Sequence, residues 1–544
     1  MGRTRTGSGT NAARVALFVG VAACLAVLSP CPVDYARFFD PDDATQGIFV
    51  NDLTFRGDYD QSFAGSNEYQ DLYRADWAAQ RLPYSLVVSG VQRVLGVAPY
   101  DVEGLLTVFA VVFAALGTWF AALCLTRGEE GLSVTRLAIF GIALVHPSLV
   151  LFSRSAASFY LLAYMLFWAC LYTALRYAES GRKVYLGLAA VSVAVFAINP
   201  YPPVLVLPIA LFAAFGLRGE LPHILRDRRV WAAVAVSALL AVATTAALGI
   251  LFEGSALGFA ERILRFQGER AARVGWAQLV DVSLLDKLHK WVDQHFLFLV
   301  DSLGDPTRTD AVWTLGVYHS GFLGLLPLSI YGAVTGWRAG DAGARFAAAI
   351  LAAFAGVFFS VSFPEGRYIL ALVPCYAGFA VRGLKSLFDG AGPQTWQLVL
   401  TLLLLLLSLE THIHLARVYE PRSERIWADF DGMRELAPLL APFAGDPTWI
   451  QLPAQPDYGA GLYFRMVMDP AWRWVGEEPF ERAIARGRGP RLVVADAVEA
   501  GSTPTQHGRP GFEELARFET GRNPRSWIIW TRPPREIGRL SDRH

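Results

Sequence analysis

Long apolar runs, each nearly free of charge, alternate with short polar segments along this chain. A helix needs about 20 apolar residues to cross the hydrocarbon layer, within a range of about 17–25. On that pattern about eleven helices are expected, at roughly 14–30, 103–125, 137–152, 159–175, 184–198, 203–217, 230–251, 312–336, 346–363, 368–381 and 395–413. Pro200, Pro202 and Pro203 end one of these and start the next, because proline has no N–H and clashes with the preceding turn. The pair around "INPYPPVL" therefore reads either as two tilted spans or as one re-entrant hairpin. The fold class is a polytopic α-helical membrane protein with a domain at its C-terminus.

Three segments break the pattern. In "LPYSLVVSGVQRVLGV" the apolar residues recur at helical spacing, but Gln92 and Arg93 stand in the middle. A central charge costs about 2.5–3.5 kcal/mol on insertion scales, so this is expected to be a helix lying at the interface. The stretch 252–311 also mixes apolar residues at helical spacing with Arg, Lys and Trp, and reads as helices on the membrane surface. The tail from about 415 alternates short apolar strands ("TWIQLP", "GLYFRMV", "RLVVADA", "SWIIWTR") with helical stretches ("ADFDGMRELAPLLAPF", "EEPFERAIARG"). The division expected is a transmembrane domain at 1–414, with large loops at 31–102 and 252–311, and an α/β domain at 415–544.

Composition agrees: 53% of residues are hydrophobic and only 18% charged, below the roughly 25% of soluble chains. Forty-eight basic residues balance 48 acidic ones, so no global charge points to nucleic acid. The five cysteines form no CxxC pair, which argues against a disulfide framework or zinc site. The basic start followed by an apolar core has the form of a signal peptide, but no A-x-A site follows, and an uncleaved first span is the preferred reading. Frequent Ala, Arg and Gly suggest a bacterium of high GC content.

Basic residues set the sidedness. Alternate loops carry Arg3, Arg5 and Arg14; Arg127 and Arg136; Arg176, Arg182 and Lys183; Arg218, Arg226, Arg228 and Arg229; Arg338 and Arg345; Arg382 and Lys385. The other short loops hold only Arg154 and Arg367. By the positive-inside rule the first set and the N-terminus are cytoplasmic, and the two large loops and the tail are extracytoplasmic. A bacterial inner membrane is the expected location.

The outward loops hold the candidate chemistry. "FFDPDDATQGIFVND" places Asp42 and Asp43 just past the first span. Their plain reading is helix capping. Their position also suits a carboxylate that deprotonates an acceptor hydroxyl or holds a divalent cation. Adjacent carboxylates repel, which raises one pKa toward that of a useful base. Arg154 and Arg367 go against the charge rule; they either snorkel to headgroups or grip a phosphate. In "HKWVDQH", His289 and Asp293 form an i, i+4 pair able to bind metal or acceptor, set against a solvated amphipathic face. His146 reads as a packed residue, and His412 and His414 as part of an interfacial belt.

This layout resembles the GT-C superfamily of integral membrane glycosyltransferases, in particular the bacterial relatives of protein O-mannosyltransferases and the lipid A aminoarabinose transferases. The run Arg367, Tyr368 … Pro374 is similar to the R-Y-L-L-P-x-x-P segment that opens a late helix there, with Ala371 at the first proline's usual place. The resemblance implies inverting transfer of a sugar from a polyprenyl-phosphate donor to a glycan, lipid or protein acceptor on the outer face. It implies Asp43 or Asp42 as base and Arg367, Arg154, Arg56 and Tyr368 at the donor phosphate, with Arg74 and Arg81 as further candidates. No cofactor signature stands out, and a divalent cation remains open. The competing readings are a transporter or flippase and a polymerase or ligase of lipid-linked glycans. Spans almost empty of ionisable residues weigh against translocation.

Overall fold

A computed structural model describes residues 41–59, 79–127, 129, 133–154, 158–199, 203–274, 283–292, 295–296, 320–360, 366–388 and 393–414, with five strands beyond them. The chain divides into two compact units: Met1–Ala36 with Thr107–Arg417, and Arg37–Leu106 with Val418–His544.

In the second unit, α1 (Pro41–Asn51) runs into a π-helical turn, Asp52–Arg56, that ends at Gly57 with φ of 79°. A left-handed residue at a helix end is best supplied by glycine. Then α2 (Leu82–Leu95) follows, with proline in its first turn. The strands β1 (Trp449–Gln451), β2 (Arg473–Val475), β3 (Leu492–Asp496), β4 (Glu513–Glu519) and β5 (Ser526–Thr531) form one mixed sheet in the order β2-β1-β3-β5-β4. β1 runs parallel to β2 and β3, while β5 is antiparallel to β3 and β4. "TWIQLP", "RLVVADA" and "SWIIWTR" each contain one of the strands. "GLYFRMV" and both helical stretches of the tail lie outside the described residues, and β2 and β4 had no counterpart in the sequence pattern.

The first unit holds the helical bundle. α3 (Val102–Leu125) enters it at Thr107. There follow α4 (Val134–Leu144), α5 (Pro147–Arg154), α6 (Ser158–Ser180), α7 (Lys183–Ile198), α8 (Pro203–Leu217), α9 (Leu221–Arg226) and α10 (Arg228–Phe252). Next come α11 (Gly258–Val274), α12 (Leu284–Val292), α13 (Ser320–Arg338), α14 (Ala342–Ser360), a 3-10 segment (Gly366–Leu372), α15 (Val373–Leu387) and α16 (Pro393–His414). Among the described residues six helices are long and apolar enough to cross a bilayer, and the chain is built as a multi-pass membrane protein. α7 and α8, on either side of the proline-rich stretch in the sequence, are shorter than those six. The expected first span, 14–30, lies outside the described residues.

Two expected spans differ in detail. The run 137–152 is not one helix: it breaks between α4 and α5 at Val145–His146, because Pro147 cannot continue the backbone ladder. The run expected to end at 381 continues as α15 to Leu387.

α6 and the span ending at Leu387 are the most enclosed, each 78% buried, whereas α10 is 17% buried and exposes Trp231, Leu239, Val242 and Leu251. In lipid such an apolar outer face carries no penalty, and association depends on close packing instead. That packing is closest between α13 and α15. Gly332 faces the backbone of Phe379 and Gly383, and Gly383 faces the Leu328 carbonyl, so a Cβ at either glycine would collide with facing backbone. Gly332→Val is expected to cost at least the roughly 1–3 kcal/mol typical of overpacking. Gly356→Val, which meets open space, is expected to cost much less. Thermal unfolding of the purified proteins in detergent checks the difference.

Candidate functional site

In the second unit Pro41 is the first helical residue of α1, so Asp42 and Asp43 occupy its first turn rather than capping it. Proline suits that first position, and carboxylates in a first turn complement the helix dipole. The helix is held by α2 through a buried polar network. Gln92 is fully buried; its Nε2 donates to Asn51 Oδ1 at 2.8 Å, and its Oε1 accepts from Thr54 Oγ1 at 2.7 Å. Thr54 Oγ1 also lies 2.9 Å from Ser89 Oγ, and Gln46 Nε2 lies 2.5 Å from Ser85 Oγ. Arg93 Nη2 donates to the carbonyls of Leu53 and Thr54 at 2.8 and 2.7 Å, capping the end of the π-helical turn. Arg56 pairs with Asp52 at 2.9 Å, with both side chains largely buried.

α2 is amphipathic, as expected; Gln92 is buried and, with the exposed Arg93, clamps the acidic helix and the turn that follows it. Thr54 and Asn51 stand far from Gln92 in sequence, so no local pattern announced the pairing.

In the first unit the break between α4 and α5 is closed by distant side chains. Thr411 of α16 donates to the Val145 carbonyl at 2.5 Å, and His146 Nε2 lies 3.0 Å from the His295 carbonyl. His295 in turn sets Nδ1 2.9 Å from the Trp291 carbonyl and Nε2 3.3 Å from that of Ile369, in the 3-10 segment that carries Arg367 and Tyr368. A neutral imidazole donates from one nitrogen only. That proton serves either the Trp291 or the Ile369 carbonyl. Trp291 Nε1 donates to Tyr376 Oη at 2.7 Å, and its ring stacks on Phe359. The buried Lys287 donates to the Phe359 carbonyl at 3.0 Å. Glu410 Oε2 accepts from the Phe322 amide at 3.2 Å, serving an N-terminal amide of α13. Within the 252–311 region, one face of α12 packs on the bundle through Lys287 and Trp291, while Leu284, Leu285 and Leu288 stay exposed. His146 is packed, as expected. His295 was visible as the last residue of "HKWVDQH", whereas Lys287, Trp291 and Glu410 were not singled out; the spacing of Lys287, Trp291 and His295 by four was the available signal.

Of the remaining expected residues, Arg154 closes α5, Arg367 and Tyr368 open the 3-10 segment, and His289 lies in α12. Asp293 lies outside the described residues. Among the described residues no group of three His, Cys, Asp or Glu is placed to hold a metal ion.

Gln92→Leu removes two side-chain partners from the network at once and is expected to destabilise the protein by about 1–3 kcal/mol in thermal unfolding. Burial lowers the His295 pKa from 6.5 to about 4, against the raising effect of its two carbonyl contacts. The folded state then binds fewer protons than the unfolded state between those values. Stability is present above pH 6.5, falls as pH drops through that window, and levels off near pH 4. His295→Gln is expected to flatten that dependence when unfolding midpoints are compared between pH 7.5 and 5.

No family model and no curated protein sequence matches the chain. Among solved structures it is similar to ArnT from Cupriavidus metallidurans bound to undecaprenyl phosphate, with a TM-score of 0.50 and 12% identity, over 94% of this chain and 97% of that one. The apo form of the same protein gives a TM-score of 0.51 at 12% identity, over 95% and 98%. The likeness shows a shared fold over nearly the whole of both chains.

Proposed function

We propose that the protein is a membrane glycosyltransferase that moves a sugar from a polyprenyl-phosphate donor to an acceptor at the extracytoplasmic face. The observation that carries this reading is the near end-to-end likeness to ArnT, a protein captured with undecaprenyl phosphate. The placement of charge supports it. Asp42 and Asp43 open α1, and Arg154, at the end of α5, and Arg367, in the 3-10 segment, stand where the charge rule points outward.

In the reaction proposed, Asp43 or Asp42 takes the proton of the acceptor hydroxyl. The oxygen attacks the anomeric carbon as the bond to the donor phosphate breaks, so the configuration inverts and polyprenyl phosphate leaves. Arg367 and Arg154, with Tyr368 and Arg56 as further contacts, neutralise the departing phosphate in poorly hydrated surroundings. Its pairing with Asp52 makes Arg56 a weaker candidate than the other two. His289 and Asp293 are retained for acceptor or metal binding. In this reading residues 1–414 carry the reaction, and the strands beyond 448 belong to an extracytoplasmic α/β domain that shapes acceptor access. The N-terminus is cytoplasmic, and about eleven spans cross the inner membrane.

Purified protein incubated with radiolabelled polyprenyl-phosphate sugars and candidate acceptors, with and without EDTA, tests the reading. Label is expected to pass from lipid to acceptor, and a diphosphate-linked donor is expected to be inert. At least one of Asp42→Asn and Asp43→Asn is expected to lose about 10²–10⁴-fold in transfer rate, the range of a general base. Full activity in both variants rules out the base assignment.

A further inference from the structure

At the other end of the first unit, arginines from separate loops surround one carboxylate. Arg127 sends Nε and Nη2 to Glu179 Oε1 at 3.0 and 2.8 Å, and Arg176 sends Nη1 to Glu179 Oε2 at 3.0 Å. Arg218 comes within 4.0 Å of the same group and pairs with Glu220 at 2.9 Å. Beside this knot lies a cavity of about 520 Å³, within the range of about 300–1,000 Å³ typical of ligand pockets. Its polar wall has three cations, Arg127, Arg136 and Arg176, against two carboxylates, Glu129 and Glu179, and its apolar wall includes Tyr172 and Leu175.

The site is built for an anion. Both Glu179 oxygens already accept from guanidinium groups, so that carboxylate presents little free charge to a ligand. Arg136 directs Nε to the Thr126 hydroxyl and Nη2 to the Glu129 carbonyl, both at 2.9 Å, which fixes its plane at the cavity wall. Arg127 commits two of its five N–H donors to Glu179, and Arg176 is 44% exposed. The apolar wall and the volume exceed what a single inorganic anion requires. The position does the rest: the cavity lies where α3 and α6 end and α4 begins, at the side where basic loops gather.

We infer that this cavity is a binding site for the headgroup of an anionic phospholipid. Its phosphodiester sits among Arg127, Arg136 and Arg176, and its glycerol and first methylenes lie against Tyr172 and Leu175. Basic pockets between membrane helices at the cytoplasmic side suit such headgroups. The site is independent of the proposed transfer chemistry and stands if that reading fails.

The test uses the full chain, purified in detergent and delipidated. Native mass spectrometry and thermal unfolding follow additions of phosphatidylglycerol, phosphatidylcholine or millimolar inorganic phosphate. Phosphatidylglycerol is expected to be retained and to raise the unfolding temperature, while the other two do neither. Arg136→Gln and Arg176→Gln are each expected to reduce retention about tenfold, the loss of roughly one charge-assisted hydrogen bond. Arg229→Gln, at the same end but away from the cavity wall, is expected to leave retention unchanged. Arg176 is partly exposed, so its variant keeps the test sound if Arg136→Gln does not fold. Equal retention of phosphatidylcholine, an equal shift from phosphate alone, or unchanged retention in both cavity variants would each overturn the assignment.

Discussion

A backbone that stops being helical inside a membrane protein must find partners for its freed N–H and C=O groups within the protein, since hydrocarbon offers none. The first unit depends on how it meets that demand at one end. The Val145 carbonyl is taken by Thr411, the His295 carbonyl meets the His146 ring, and the Ile369 carbonyl meets His295. Each closure joins segments far apart in sequence. The broken helix α4–α5, the end of α12, the 3-10 segment and α16 are thereby tied into one knot. An unsatisfied group there would cost about 1–3 kcal/mol. That cost, rather than apolar attraction, makes the irregular backbone around Arg154, Arg367 and Tyr368 specific.

The two ends of the bundle are built by different means. α6 spans about 33 Å, from the contacts of Phe159 and Tyr160 with each other and with Phe152 to the Glu179 knot. At the Glu179 end the staples are ionic. Arg382 donates to the Leu125 carbonyl at 2.6 Å and pairs with Asp341 at 3.0 Å. Burial pushes the Asp341 carboxyl up, but the charge and hydrogen bonds of Arg382, with backbone amides, outweigh it and hold the group below its ordinary range. At the His146 end the staples are rings and hydrogen bonds to backbone groups, among them those of Lys287 and Glu410.

The six spans among the described residues were legible because hydropathy is a bulk property of about 20 consecutive residues. Breaks and closures were not, because they depend on single residues. His146 lies in an unbroken apolar run, and only Pro147 beside it signalled a break. Strands β3 and β5 stood out through their continuous apolar residues, whereas β4, "EELARFE", alternates charge with apolar residues too unevenly to be separated from a helix. The acidic first turn of α1 was visible as a cluster. What holds it was not, since Gln92 reads as an awkward residue until Asn51 and Thr54 are brought to it.

That clamp also explains why polar residues, rather than a smooth apolar face, join α1 to α2. Two apolar helices slide past each other at small cost, because any methyl replaces any other. A buried amide does not slide. Moving α1 by one residue would turn its face by about 100° and strip Gln92 of both Asn51 and Thr54, at about 1–3 kcal/mol per unmet group. Arg93 adds a second lock, since the Leu53 and Thr54 carbonyls converge only at the end of the π-helical turn. Asp42 lies nine residues up the same rigid helix, about 13 Å away at 1.5 Å per residue. A rotation at Asn51 is therefore a rotation of the backbone at Asp42 and Asp43, and the register of Gln92 fixes the turn of the helix from which they spring.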